Sequence, residues 1–518
     1  MRWLSSAPVR WRAWGFLGLL STLLVSGTAG AQTTDERILW CREYAAQLGV
    51  PAIAPDGTMY ATSRGALHVI APDGTPTARM TLRRHRLTTP VVGDQGMVYA
   101  MSDTILNESA DYETDAASYL HAFDSTGTEV WRLQLLPEGR AVSPDAFSSG
   151  VVLSRNGDLL AGTSGDSMLY AVSPEGVLRW RFRGPSDIHG LGVGPDGTLC
   201  VLGRDAVYGV DPAGRLQWQW ASDQPLGWAV AIDGNGSIYF ASYSSGSLSA
   251  AVLYALSSKG QLRGRMRLEE TPWIYSSPVI DSEGNVLLLE PGIGQMISIL
   301  HAVTASGEPY WRLPLEADGQ SAVVVGADET IYLVGQDGQH KVLYALDAIG
   351  GRERWQISFT NQVLGFTLSE TGVLYLVQSY GASVYYLYAI QTDSPGLADS
   401  PWPMPRHDPR NTGRVSGPVT AVLETAREGL PTACRLGPSY PNPFNASTVV
   451  PFELPAAGPA EVRIYNVLGQ EVALLAKGVF AAGRHQVRWE PQGQGSGVYF
   501  SRLQTPEGSA VRRMILAK

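Results

Sequence analysis

Ala171–Trp180 reads AVSPEGVLRW, and the same phrase returns as AFDSTGTEVW at Ala122–Trp131, GVDPAGRLQW at Gly209–Trp218 and ALDAIGGRERW at Ala345–Trp355. Each copy finishes a short apolar strand, turns at a Gly and opens a second strand that closes on Trp. Gly takes the positive φ that a tight turn between antiparallel strands demands, so the phrase is a hairpin.

Working outward, one four-strand unit recurs eight times between Gln32 and about Arg414. A turn carrying Asp and Gly comes first, as at Asp56-Gly57, Asp73-Gly74 and Asp196-Gly197, each after Pro. The next element aligns at Tyr60, Tyr99, Leu160, Cys200, Tyr239, Leu287, Tyr332 and Tyr375. A Leu-Tyr-Ala-like strand follows, with His68, His121 and His301 at the position that Tyr fills in the other five copies. The last strand is centred on Trp40, Met80, Trp131, Trp180, Trp218, Arg265, Trp311 and Trp355. Spacings of about 38 to 60 residues fit propeller blades of four short strands. Apolar runs of ten or more without Gly, which helices would need, are almost absent.

The array has complementary ends. The eighth copy has Leu387-Tyr388-Ala389 but no strand after it, whereas the chain starts with Ile38-Leu39-Trp40 and no strand before it. The N-terminal segment is therefore expected to supply the outer strand of the last blade, which would close the ring and remove a free sheet edge. Eight blades is the reading and seven the alternative count.

Composition agrees with an all-β chain. Of 518 residues only 17% are charged, while 57 Gly and 33 Pro supply turns. Residues 1–31 place Arg2, Arg10 and Arg12 before an apolar run from Ala13 to Ser26 and small residues at Ala29-Gly30-Ala31, a signal peptide cut before Gln32. The run is about 14 residues, short of the roughly 20 that span a bilayer, so no retained membrane span is expected. Losing those three arginines takes the formal charge from −9 to −12, which argues against nucleic acid as a partner. Cys41, Cys200 and Cys434 are odd in number and far apart, so they define no disulfide framework or metal knuckle, and Cys200 reads as a buried thiol.

The quoted hairpins resemble the repeats of the PQQ-like β-propeller superfamily over residues 36 to about 392. The resemblance implies that Ala, Gly and Trp hold adjacent blades together, the Trp ring packing on the neighbour. Quinoprotein dehydrogenases of that superfamily carry adjacent cysteines and calcium ligands at the quinone, which this sequence does not match, so quinone-dependent oxidation is not expected. The last 80 or so residues resemble a type A sorting domain of the type IX secretion system. The residues that carry it are Tyr440-Pro441-Asn442-Pro443-Phe444-Asn445, Val462 to Gln470, Gly483 to Trp489, Ser496 to Phe500 and Arg512-Arg513-Met514. This second resemblance implies a small immunoglobulin-like β-sandwich, Sec-type export to the periplasm, the type IX machinery as partner, and a product released or held at the cell surface. The domain reading is 1–31 signal peptide, 32–412 propeller, 413–437 linker and 438–518 sorting domain.

In an up-down blade the tight Asp-Gly and Gly turns share one face and the long connections share the other, where binding is expected. On that loop-rich face Trp228, Trp273 and Tyr275 are candidate stacking residues for a sugar ring, and His189 is its one rim histidine. The loop Ser102–Ser118 holds Asp103, Asp111 and Asp115 among its acids and no base, a set of oxygen ligands suited to calcium. No other cofactor is expected, since the sequence carries no HExxH, no G-x-S-x-G and no phosphate-binding glycine loop. Pro401 to Asp408 is expected to pack against the ring. The function read from this is a secreted or surface propeller that binds an extracellular glycan or protein without catalysis. The alternatives are a secreted carbohydrate-active or oxidising enzyme with rim carboxylates, and a periplasmic assembly scaffold.

Overall fold

The computed structural model describes residues 35–517, leaving out 46, 105–116, 137–149, 164–165, 185–187, 244–249, 269–273, 275, 292–296, 306, 317–320, 338–339, 349–350, 382–383, 416–433, 438, 440–443, 446, 481–482, 492 and 507. The described residues contain strands, turns and bends and no α-helix. Between Ile38 and Gln391 the strands form six four-stranded sheets and one of seven strands, every neighbour antiparallel. Within a sheet, spatial order follows chain order, as in Ile188–Val193, Leu199–Gly203, Ala206–Val210 and Leu216–Ala221.

The turns close as their residues dictate. Thr58, Thr75 and Thr198 each donate a backbone N–H at 2.9 Å to the carboxylate two residues earlier, Asp56, Asp73 and Asp196. The Asp side chain thus holds the turn before the Gly reverses it.

Between sheets, the Trp of one outer strand reaches the last turn of the next unit. Trp131 Nε1 donates to the Pro174 carbonyl at 2.8 Å, Trp180 to Pro212 at 3.0 Å and Trp218 to Ser258 at 3.0 Å. Each ring lies flat on the Gly two residues further on, with a Cβ at Gly176, Gly214 or Gly260 falling within 3.0 Å of ring carbons. Gly is required there by space as well as by φ.

Ring closure occurs as the ends imply. Ile38–Tyr44 is the outermost strand of the sheet containing Val363–Leu368, Val373–Tyr380 and Val384–Gln391, with Trp40 opposite Ala389. One sheet departs from the repeat pattern. Pro76–Leu87 passes Arg84 at a φ of 62° and continues, so that His85, Arg86 and Leu87 pair with Thr104, Asp103 and Ser102. This fuses the first two repeats into the seven-stranded sheet.

The C-terminal region has a three-stranded and a four-stranded sheet that enclose one core, with Val450 and Phe452 facing Val462, Ile464, Leu503 and Met514. It meets the turn side of the ring, where Arg512 pairs with Glu283 and the Arg435 guanidinium donates to the Glu283 carbonyl at 3.4 Å.

Candidate functional site

An innermost blade strand has one edge paired and one facing the axis, where its N–H groups need acceptors. The chain supplies them itself. After Gln391 it turns back, and residues 395–415 cross the centre of the ring. Ile280 and Val325 donate to the carbonyls of Trp402 at 2.7 Å and Pro403 at 2.9 Å. Ile53 and Val92 donate to Pro409 at 2.7 Å and Arg410 at 3.0 Å, and Leu153 and Val193 to Thr412 at 2.9 Å and Gly413 at 3.0 Å. The acceptors advance along this strap as the donors advance around the ring, so the strap circles the axis once. Trp402 and Met404 are buried within it.

The strap is also fixed by charge and by backbone strain. Arg410 and Arg414 share Asp94 at 3.0 and 2.6 Å, and Asp408 accepts from Thr412 N at 2.9 Å and Oγ1 at 2.7 Å. Arg406, His407 and Asn411 have φ of 62°, 77° and 60°, a left-handed conformation that non-Gly residues hold only where their surroundings over-determine it.

Above the strap lies a cavity of about 330 Å³ at the N-terminal ends of the inner strands, the end where the long connections emerge. Its wall includes Thr89, Ser276, Ser321, Lys341, Gln362 and Thr367, and its floor is Met404, Pro405, Arg406 and Asn411. Ser276 and Ser321 are spent on the blades, since their hydroxyls bridge to Leu289 and to Ala322 and Val334. Thr367 is 1% exposed and its Oγ1 has no hydrogen-bond partner among the described residues. Lys341 Nζ donates to Gln336 at 2.9 Å. The Arg406 guanidinium sits deep, donating to the Val151 carbonyl, and burial pushes its pKa down to about 10.

Of the sequence candidates, Trp228 is half-buried in Leu226–Ile232 and stacks on Tyr243, centroids 5.7 Å apart and planes at 14°, where two long connections meet. His189 falls in the inner strand Ile188–Val193, and its side chain lies outside the described residues. Trp273, Tyr275, Asp111 and Asp115 also lie outside them. Asp103 is buried in the strand Val98–Thr104 and accepts from Ser118 Oγ at 2.5 Å. Among the described residues no group of three or more His, Cys, Asp or Glu is placed to hold a metal ion.

Burial raises the Asp103 carboxyl from 3.8 to about 6, partly opposed by the Ser118 hydroxyl and Arg86. Its folded-state pKa lies above its unfolded value, so its contribution to stability is greatest below pH 4 and is lost as pH rises through about 6. Asp103→Asn is expected to raise the urea midpoint relative to the native chain at pH 8 and to lose that advantage at pH 4.

One cluster was not read from the sequence. His85 Nδ1 lies 2.8 Å from Ser102 Oγ, Ser102 Oγ 2.7 Å from His121 Nε2, and His121 Nδ1 2.7 Å from Glu129 Oε1. The order is that of a nucleophile, a base and its orienting acid. Ser102 and His121 are fully buried, however, and the repeats show what the pairing does. His68 meets Ser63 at 3.0 Å, His301 meets Glu290 at 2.6 Å and Tyr388 donates to Gln378 at 3.0 Å, each across the two middle strands of its unit. The signal was present: Ser63, Ser102, Glu290 and Gln378 each stand three residues after the aligned Tyr or Leu.

Comparisons with known proteins agree with this architecture. A PQQ-like repeat model described as outer membrane protein assembly factor BamB matches residues 116–287 and 296–393, just over half of the chain. A secretion system C-terminal sorting domain model matches residues 439–517. No match is found among curated proteins. Among solved structures, the Dos1 propeller is similar at 10% identity and a TM-score of 0.51, over 69% of this chain and 96% of that one. PorZ, a surface component of the type IX secretion system of Porphyromonas gingivalis, aligns at 13% identity and a TM-score of 0.37, over 89% and 69%. Virginiamycin B lyase from Staphylococcus aureus aligns at 9% identity and 0.38, over 68% and 99%. The chain thus belongs to the PQQ-like β-propeller repeat family and ends in a sorting domain for type IX secretion to the cell surface or the extracellular space.

Proposed function

We propose that the mature protein, beginning at Gln32 after Sec-type export, is an eight-bladed propeller that binds an extracellular glycan or protein through its loop-rich face without transforming it. On this reading the seven-stranded sheet is two blades sharing an edge, and the sorting domain is an immunoglobulin-like sandwich. The observation that supports it most is the division of the ring into two ends. The strap fills the axis and the sorting domain sits against the turn side, which leaves the cavity and the Trp228–Tyr243 stack open on the other side. Long loops over a rigid scaffold are where recognition usually resides. Purified mature protein applied to an array of extracellular glycans and cell-surface proteins is expected to be retained by a defined class. Trp228→Ala should weaken retention by about tenfold, the scale of one aromatic contact. Absence of retention on every surface tested, by a protein that unfolds cooperatively, would overturn the reading.

A further inference from the structure

We infer that the axial cavity is an oxyanion site, built for a compact negatively charged group such as the carboxylate of an acidic sugar, held between Lys341, Thr367 and Arg406. This rests on the proposal that the loop-rich face binds a ligand, and adds its chemical class.

Charge is the first reason. The protein carries a formal net charge of −9, yet the described residues around this cavity include Lys341 and Arg406 and no Asp or Glu. Basic side chains on a wall whose described residues include no acid favour an anion over a neutral group, the more so beside the low-dielectric surface of Val334, Phe366 and Met404.

Arg406 is the second. Arg410 and Arg414 on the same strap both pair with Asp94, whereas Arg406 makes no ion pair among the described residues, its guanidinium donating to one backbone carbonyl. The nearby Asp408 carboxylate offsets only part of the cost of burying this guanidinium, and an anion in the adjoining space would offset more of it. The left-handed backbone at Arg406 and His407 is retained where the strap forms the cavity floor, so the position is held against strain.

Thr367 is the third. Its hydroxyl is buried, lines the cavity and has no hydrogen-bond partner among the described residues, which is unusual for a buried polar group. It can donate to an oxygen placed there. Lys341 stands on the wall at the start of a middle strand, with its ammonium anchored by Gln336. Ammonium, hydroxyl and guanidinium are all donors, and donors on a wall whose described residues include no Asp or Glu suit an oxyanion more than a neutral sugar face. The volume, about 330 Å³, lies at the small end of ligand sites and fits one sugar unit or one phosphate rather than a polymer segment.

Calorimetric titration of the full mature protein with D-glucuronate, inorganic phosphate and D-glucose tests this. Glucuronate or phosphate is expected to bind, with glucose at least about tenfold weaker, as loss of a charge-assisted hydrogen bond predicts. Preference between the two anions identifies the source as an acidic sugar or a phosphate ester. Lys341→Gln and Thr367→Val, neither of which is among the six backbone donors to the strap, should each weaken the anion about tenfold and leave glucose unchanged. Equal binding of glucose and glucuronate, or anion binding that both variants retain, would overturn the assignment. If neutral glycans are retained on the array while both anions give no heat, the oxyanion site falls and the binding function stands. If nothing is retained and nothing titrates, both fall.

Discussion

A chain ending at Ser394 is expected to lose the cooperative unfolding of the ring, whereas a chain ending at Val415 keeps it. Both retain every blade strand, together with Asp393, which anchors Arg37 and Trp355. Only the strap differs. Without it, six inner-strand N–H groups lose their carbonyls, and at about 1 kcal/mol per hydrogen bond the loss is roughly 6 kcal/mol. Trp402 and Met404 leave their apolar contacts as well, for about 2 kcal/mol each or more. The total approaches the whole net stability of a typical domain, ~5–15 kcal/mol. Urea unfolding followed by tryptophan fluorescence reads the difference directly. The milder Trp402→Ala variant should lose about 3–5 kcal/mol in the same assay. Coincident transitions for the two truncated chains would show that the ring closes by its outer strand alone and that the strap merely occupies space. The contrast also bears on delivery. The strap ends at Val415 and the sorting domain's first described strand begins at Arg435, so removal of the domain between them would leave the ring pinned.

What was legible in the sequence follows from how locally each feature is encoded. The hairpins are written in adjacent residues, so Asp56-Gly57 or Asp196-Gly197 could be read without knowing the fold. Ring closure was legible because a missing strand at one end matched a spare strand at the other. The strap's role was only half legible. Its residues foretold packing, but the carbonyl ladder uses main-chain atoms that leave no side-chain signature, and its donors come from six inner strands. The cavity was not legible at all, because Thr367, Lys341 and Arg406 stand in different repeats or outside them, and only closure brings them together. Fusion of the first two repeats was hidden for another reason. It depends on Arg84 taking a left-handed φ, a choice that an Arg in sequence does not announce. Asp103 opens an acidic run, and that run does not show that strand register sets it opposite Ser118.

Gly260→Ala should cost much more than Gly96→Ala, although both glycines end the same kind of turn at nearly the same φ, +74° and +76°. Any L-residue in that conformation costs roughly 1–2 kcal/mol, and both variants bear this. At Gly96 no atom of the described residues lies within 4 Å of the added Cβ, so the cost stops there. At Gly260 the Cβ would stand 2.3 Å from a carbon of the Trp218 ring, which must tilt away from the turn and strain its 3.0 Å hydrogen bond to the Ser258 carbonyl. Overpacking of this kind adds about 1–3 kcal/mol. The excess at Gly260 is therefore an inter-blade energy, and a double-mutant cycle isolates it. In a Trp218→Ala background the clash has no partner, so Gly260→Ala should fall to the cost seen at Gly96. If the excess persisted without the ring, Trp218 would not be what joins these blades. The same logic extends to Trp131 on Gly176 and Trp180 on Gly214, where the ring meets the glycine in the same way. It also explains why a ring with so little helical or disulfide support holds together: each blade presents a flat aromatic face, and the next meets it with the one residue that has no side chain.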